Sequence, residues 1–337
     1  TAGSGAVRLN AGGGDILQSS GVITAAALGA RSSANVTLNG ANQIGSGATP
    51  GTIAGFASNG NFRLVNGRSA TVGSVDAASE NLRPSNSNTL APEVIFTSTS
   101  GVTAQNGDLT LRVTGSGDHL TLTRDVSASS GAVRLVSTDG SIGQTGGTIT
   151  ALNLSAAAPL GSVVLGSLTN AISGQIAGTA GGDFGVAAAG TLTIGQVLND
   201  GTLAATQTGV TVGNSVTNDI VLTAATNLTI NRALVAGGGV GLQAGNAITF
   251  GGAGDVSRDA GIPQPVDRLV LRAATVDNTA AATILASKVA VAGGGGLASF
   301  AQGLLPNSMA ADLGGGSFEW RTTGDLRVAN VASVVAE

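Results

Sequence analysis

Ser4-Gly5-Ala6-Val7-Arg8-Leu9 returns unchanged as Ser130-Gly131-Ala132-Val133-Arg134-Leu135. The echo runs on through Gly14/Gly140, Ile16/Ile142, Gln18/Gln144, Gly21/Gly147, Ile23/Ile149, Thr24/Thr150, Ala25/Ala151 and Leu28/Leu154. Self-similarity at a fixed offset marks a solenoid or array, in which each repeat buries its apolar face only against its neighbours. The 337 residues therefore read as one elongated body, not as two globular domains.

Around the echo, short runs such as Leu109-Thr110-Leu111-Arg112-Val113, Leu120-Thr121-Leu122-Thr123, Leu192-Thr193-Ile194, Leu228-Thr229-Ile230 and Leu326-Arg327-Val328 put an aliphatic at every second position. That period is a strand's, with aliphatics inward and Thr or Arg outward. Helical periodicity is nearly absent. Ala25-Ala26-Ala27-Leu28, between Gly21 and Gly29, is too short for a helix. The pairs Asn39-Gly40, Asn59-Gly60, Asn66-Gly67, Asn106-Gly107, Asp139-Gly140 and Asp200-Gly201 recur at coil-like distances and are expected at corners needing positive φ.

The spacings Ser4/Ser130, Leu120/Leu192 and Leu192/Leu228 are all multiples of 18. The fold expected is an all-β, right-handed parallel β-helix (β-solenoid) with about 18 to 21 residues per coil. At ~4.8 Å per coil it would have roughly 16 to 19 coils and a length of about 75 to 90 Å. The single shaft is expected to span residues 1–337, with excursions near 76–97, 251–267 and 293–316, where prolines, acids and glycine clusters break the rhythm. No polar or helical cap is evident at Thr1 or at Val334-Val335-Ala336-Glu337, so the natural molecule or an assembly is expected to continue past both ends. Thr1, with no leader, points to a mature product or an excised piece.

Composition fits a rod. Glycine supplies 54 residues, charged residues only 10% and apolar residues 42%, which is too apolar for disorder. The chain has no cysteine, which excludes disulfides and thiolate metal sites. A net charge of -4 leaves no basic stripe for nucleic acid. No apolar run is long enough for a membrane helix. Seven Phe, one Trp and no Tyr cannot form the aromatic girdles of an outer-membrane barrel.

With the Leu-x-[Leu/Ile/Val] strands, Gly-Ala-Val-Arg-Leu, Asp15-Ile16 and Gly324-Asp325-Leu326-Arg327-Val328 lined up, the chain resembles the filamentous-haemagglutinin-like exoproteins of Gram-negative bacteria. The resemblance is diffuse, covers nearly all of the chain, and lies in the style of repeat. It implies a right-handed parallel β-helix exported through an outer-membrane transporter partner, acting as an adhesin, surface fibre or contact-dependent toxin. The Asn-Pro-Asn motif of that family's secretion domain does not occur, so the resemblance places this chain in the repeat shaft.

Candidate chemistry is sparse. His119, the only histidine, is flanked by Asp118 and followed by Asp125, but it falls in a turn before Leu120 with no nucleophile placeable beside it. A carbohydrate-active β-helix enzyme would draw on Asp118, Arg124, Asp125, Arg134 and Asp139, or on Asp255, Arg258, Asp259, Asp267, Arg268 and Arg272, all equally explained as corner and surface residues. Gly251-Gly252-Ala253-Gly254-Asp255 and Gly12-Gly13-Gly14-Asp15 miss the calcium nonapeptide spacing and lack tandem copies. Lys288, the only lysine, follows Ser287, which excludes a P-loop. Outward Thr121, Thr123, Thr191, Thr193 and Thr229 could form an ice-binding ladder, or could simply be favoured strand residues.

No catalytic, cofactor or metal residue is assigned, and no cofactor is expected. The expectation is a non-catalytic, secreted structural or adhesive shaft or fibre subunit at the surface of a Gram-negative bacterium. It would associate end to end or laterally with its own copies and contact cell-surface or matrix glycans, without nucleic acid. The alternative is the polysaccharide lyase or hydrolase.

Overall fold

The computed structural model describes residues 1–82, 91–259, 264–278, 280, 282–293, 297–300, 308–312 and 317–320. These residues contain no helix. Mostly parallel strands stack into a β-solenoid of about 12 turns with about 22 residues per turn. The expected architecture holds, but fewer coils give a rod of roughly 58 Å. Among the described residues the shortfall has two sources: a turn takes about 22 residues and not 18 to 21, and some turns carry excursions that add no height.

Three ladders run along the rod. One stacks Val36, Phe62, Leu109, Val133, Leu154 and Ile176 in register. A second stacks Leu120, Ile142, Val163, Phe184, Ile220, Val240, Leu269, Val289 and Met309. The third joins Gly55, Val102, Val126 and Ile149. The inward aliphatics form one continuous core, each touching the like residue a turn above and below. The Ala25–Leu28 stretch is extended, split between the strands Thr24–Ala25 and Ala27–Ser32.

The spacing of 36 from Leu192 to Leu228 is a single turn, since the two residues pair directly. That turn is swollen by an antiparallel pair, Gln196–Val197 with Gln207–Thr208. Leu120 and Leu192 sit in different ladders, so the shared factor of 18 carried no structural meaning.

Glycine's role at the corners also differs from expectation. Of the six Asn-Gly and Asp-Gly pairs, only Asp200-Gly201 holds its glycine at positive φ, +85°. At the others the missing side chain permits close approach between turns. A Cβ at Gly60 would lie 2.5 Å from the Asn35 side chain, and one at Gly140 would collide with the Asp118 carbonyl.

The excursion expected near 76–97 is an antiparallel arm, Ala78–Leu82 with Ala91–Phe96, hinged on Ser74–Val75 paired to Thr99–Ser100. It folds back over the outer face of earlier turns, where Phe96 packs with Ala54 and Val75. In 251–267, Val256–Ser257 remains in the stack and 260–263 lie outside the described residues. In 293–316, Leu297–Phe300 and Ser308–Asp312 stack on preceding turns, and the remainder beyond Gly293 lies outside the described residues.

Candidate functional site

A strand's end leaves an N–H at the corner that no neighbouring strand satisfies, and a buried or shielded donor needs a partner. Here side chains one turn away supply it. Along one edge, Asp15 Oδ1 accepts from the Asn35 N–H, Asn35 Oδ1 from Asn61, Asn61 Oδ1 from Asp108, and Asp108 Oδ1 from Ala132, at 2.8–2.9 Å. Higher on the rod, Asn153 Oδ1 accepts from Gln175 N–H and Gln175 Oε1 from Gln196 N–H. The hydrogen bonds to Asp15, from the Asn35 backbone first and its side chain second, hold that carboxyl below its ordinary value.

His119 belongs to a second edge. Its N–H donates to Ser69 Oγ at 3.1 Å, and its Nδ1 accepts from the Ser141 N–H at 2.9 Å. Ser141, Ser162, Asp183 and Asp219 continue the same service upward. The histidine thus occupies a position filled elsewhere by serine or aspartate.

The echo between residues 4–28 and 130–154 encodes a third device. Gln18 Nε2 donates to Gly21 O and to Asn42 Oδ1, which also takes the Ile23 N–H. Gln144 repeats this with Gly147 O, Asn170 Oδ1 and the Ile149 N–H. The two copies stand on different edges, because Ile16–Leu17 lies in the Leu109 ladder and Ile142–Gln144 in the Leu120 ladder.

The most elaborate local structure is the hairpin Gln196–Thr208, which sequence reading reduced to a corner. It leaves the rod at Ile194 and folds back across the outer face of the first ladder. Asn199-Asp200-Gly201-Thr202 forms its tip: Asp200 Oδ1 accepts from the N–H groups of Thr202, Leu203 and Ala204, while Gly201 takes positive φ. Asp200 Oδ2 accepts from the Thr110 hydroxyl at 2.9 Å and lies 3.8 Å from Arg63 Nε, its side chain fully buried. Burial alone would raise this carboxyl, but the N–H groups of Ala204, Thr202 and Leu203, with the Thr110 hydroxyl, outweigh it and hold it below its ordinary value.

Arginines on the rod hold the hairpin's carbonyls. Arg63 Nη2 donates to Asp200 O, Arg112 Nη1 to Leu203 O and Arg134 Nε to Leu198 O, at 2.9–3.1 Å. Arg134 also pairs with Asp108 at 2.8 Å. Arg63, Thr110, Arg134, Ser155 and Ala177 are successive residues of one outward row, so the hairpin straps five strands together. Beside it opens a groove of about 310 Å³, lined by Asp108, Arg134, Leu152, Asn153, Gln175 and Leu198 among others.

Of the residues considered for hydrolytic chemistry, Arg134 is thereby a strap anchor. Asp118 accepts from Ser69, Asp139 from Ser116 and Gly117, Asp125 from the Thr148 N–H, and Asp255 from the Thr283 N–H. Arg124 donates to its neighbour Thr123's carbonyl and Arg258 to Asn214. Arg268 pairs with Asp219, and Asp267 with Lys288. Arg272 lines a separate shallow cavity, and the Ser257 hydroxyl donates to the backbone carbonyl of Asp259. No cluster of three or more His, Asp or Glu is placed for a metal among the described residues.

The outward threonines align only in short runs. Thr52, Thr71 and Thr121 share a row that continues as Gly143, and Thr193, Thr229 and Thr249 share one that continues as Asp277. No helix among the described residues is long and apolar enough to cross a membrane. Comparison with protein families, characterised proteins and solved structures finds no match to this chain.

Proposed function

We propose that the protein is a non-catalytic, secreted structural and adhesive shaft, of the filamentous-haemagglutinin-like type, working at the surface of a Gram-negative bacterium. It acts by length and by side-to-side contact with its own copies, and it attaches to glycans of cells or matrix. Export through an outer-membrane transporter partner belongs to the same reading, through the resemblance of the repeats.

The observation that carries the proposal is one outward row of the second ladder. Thr121, Gly143, Val164, Gly185, Val221, Gly241, Val270, Ala290 and Ala310 follow each other in register with no charge among them. Val164 and Val221 stand 51% and 37% exposed. At ~4.8 Å per turn the row extends about 40 Å, an uncharged strip of small and aliphatic residues with its valines exposed, and exposed apolar surface of this kind marks interaction sites. Asp125 and Asp255 each accept a corner N–H, and Asp267 pairs with Lys288, which fits the structural reading of these acids.

Electron microscopy and sedimentation of the purified chain test this directly. Bundles or filaments are expected, with dissociation in the double variant Val164→Lys, Val221→Lys. A chain that stays monomeric, leaves cells uncoated and depolymerises a polysaccharide would establish the hydrolase or lyase alternative.

A further inference from the structure

The groove beside the hairpin has a chemistry that the corner ladder does not consume. Asn153 and Gln175 each spend the carbonyl oxygen on the next turn's N–H. Asn153 Nδ2 and Gln175 Nε2 make no protein hydrogen bond among the described residues. Each amide is bound to keep its oxygen inward and its NH2 group free. Arg134, 5% exposed, donates through Nε and Nη1 to Leu198 O and Asp108 Oδ2, leaving Nη2 without a protein partner among the described residues. Gln196 donates through Nε2 to Thr208 Oγ1, which leaves its own carbonyl oxygen as an acceptor. Leu152 and Leu198, 41% and 63% exposed, stand along the same groove.

We infer that this groove binds a neutral glycan chain laid along the rod axis. The inference rests on the adhesive reading above and names its ligand class. Three features select that chemistry. Arg134 and Asp108 cancel each other's charge, so the groove offers no net field for a sulfate, a phosphate or a metal ion. Free amide donors beside an amide oxygen and a carboxylate suit hydroxyl groups, each of which both donates and accepts. The two leucines supply apolar contact for the C–H faces of a sugar ring, in a cavity whose size matches small-ligand sites. The donors also repeat along the axis, because Asn153 and Gln175 occupy successive turns about 4.8 Å apart. A chain of pyranose units has a comparable repeat, so consecutive sugars would meet consecutive amides. The hairpin closes one side and is held there by Arg63, Arg112 and Arg134.

The test is calorimetric titration of the whole chain with glucose-, mannose- and N-acetylglucosamine-based hexamers, and with a sulfated hexamer for contrast. Binding of a neutral hexamer is expected, weakened at least tenfold in the double variant Asn153→Asp, Gln175→Glu. That variant keeps both capping oxygens and removes both donors, so its melting temperature should match the native value. Should it fail to fold, Leu198→Arg, whose backbone carbonyl still meets Arg134, is expected to weaken binding at least tenfold. The inference is overturned if no neutral hexamer binds, if only the sulfated one binds, or if the folded variants bind as tightly as the native chain. Cell attachment, measured in parallel, separates the two readings. Attachment that survives Asn153→Asp, Gln175→Glu sinks this groove and spares the adhesive shaft, whereas hexamer binding without any attachment sinks the adhesive shaft and spares the groove.

Discussion

The Thr110 hydroxyl donates to Asp200 Oδ2 across 90 residues of chain, tying the tip of a surface hairpin to a strand several turns below it. The contact is buried, and Asp200 Oδ1 also organises the tip by taking three backbone N–H groups. Asp200→Ala therefore removes both the tip's internal order and its anchor. A hydrogen bond to a charged group is worth about 1.5–3 kcal/mol, and water takes over part of what the partly exposed tip loses, so local opening of the hairpin should become easier by roughly 2–4 kcal/mol, well under the sum of the four bonds. Hydrogen exchange at residues 198–207 should rise by about one and a half to three orders of magnitude while the strands of the second ladder keep their protection. Equal loss of protection in both places would mean that the hairpin is integral to the rod and not a strap upon it.

Acid should release the same strap. Asp200 has its folded-state carboxyl held below the ordinary value of about 3.9, so its contribution is fully present above that pH. It disappears as pH falls through the folded value, since the proton binds more tightly to the unfolded or opened chain. Limited proteolysis at residues 198–207 should be negligible at pH 7 and measurably faster at pH 2.5, below the ordinary carboxylate value. The Asp200→Asn variant should be cut at similar rates at both values. A hairpin equally resistant at pH 2.5 would show that Asp200 does not control it.

Asn170 illustrates what the corners contribute. Its side chain takes the Ile149 N–H at 2.8 Å and donates to the carbonyls of Leu165 and Ala187, fully buried. Truncation to alanine strands a buried donor and two buried acceptors, each costing about 1–3 kcal/mol. A loss on the order of 3 kcal/mol is expected for Asn170→Ala, against about 1 kcal/mol or less for Asn35→Ala at a more open corner. Chemical denaturation of the two variants checks the ranking. Comparable losses would mean that water replaces the Asn170 side chain freely.

How far the fold could be read from the sequence follows from these particulars. Alternation in Leu109–Val113 and Leu120–Thr123 depends only on which face of a strand is buried, so the ladders were legible. The Gln18/Gln144 echo was visible as a repeat, but its meaning required Asn42 and Asn170, which the echo does not include. Spacing misled where a turn was swollen, as between Leu192 and Leu228. The hairpin was hidden because Asp200-Gly201 looks like any other corner pair. What distinguishes it is Arg63, Thr110, Arg112 and Arg134 waiting on another part of the rod. The groove depends on amides spread over separate turns, an adjacency that no local pattern reports.

Phenylalanine in so slender a core needs space from its neighbours, and glycine provides it. A Cβ at Gly178 would intrude on the ring of Phe184 and as closely on the Ala156 carbonyl oxygen, whereas the nearest atoms to one at Gly55 all belong to the ring of Phe62; both rings are fully buried. Gly55→Val should overpack the interior and cost about 1–3 kcal/mol, because the backbone of adjacent turns fixes the available volume. The smaller ring-free side chain in Phe62→Leu creates a void instead, costing roughly 1–2 kcal/mol by loss of apolar volume. Combined, the two changes fill one another's error, and the double variant should be more stable than the sum of the single losses by at least 1 kcal/mol. Additive losses in a double-mutant cycle would show that the glycine is there for its backbone and not for the ring.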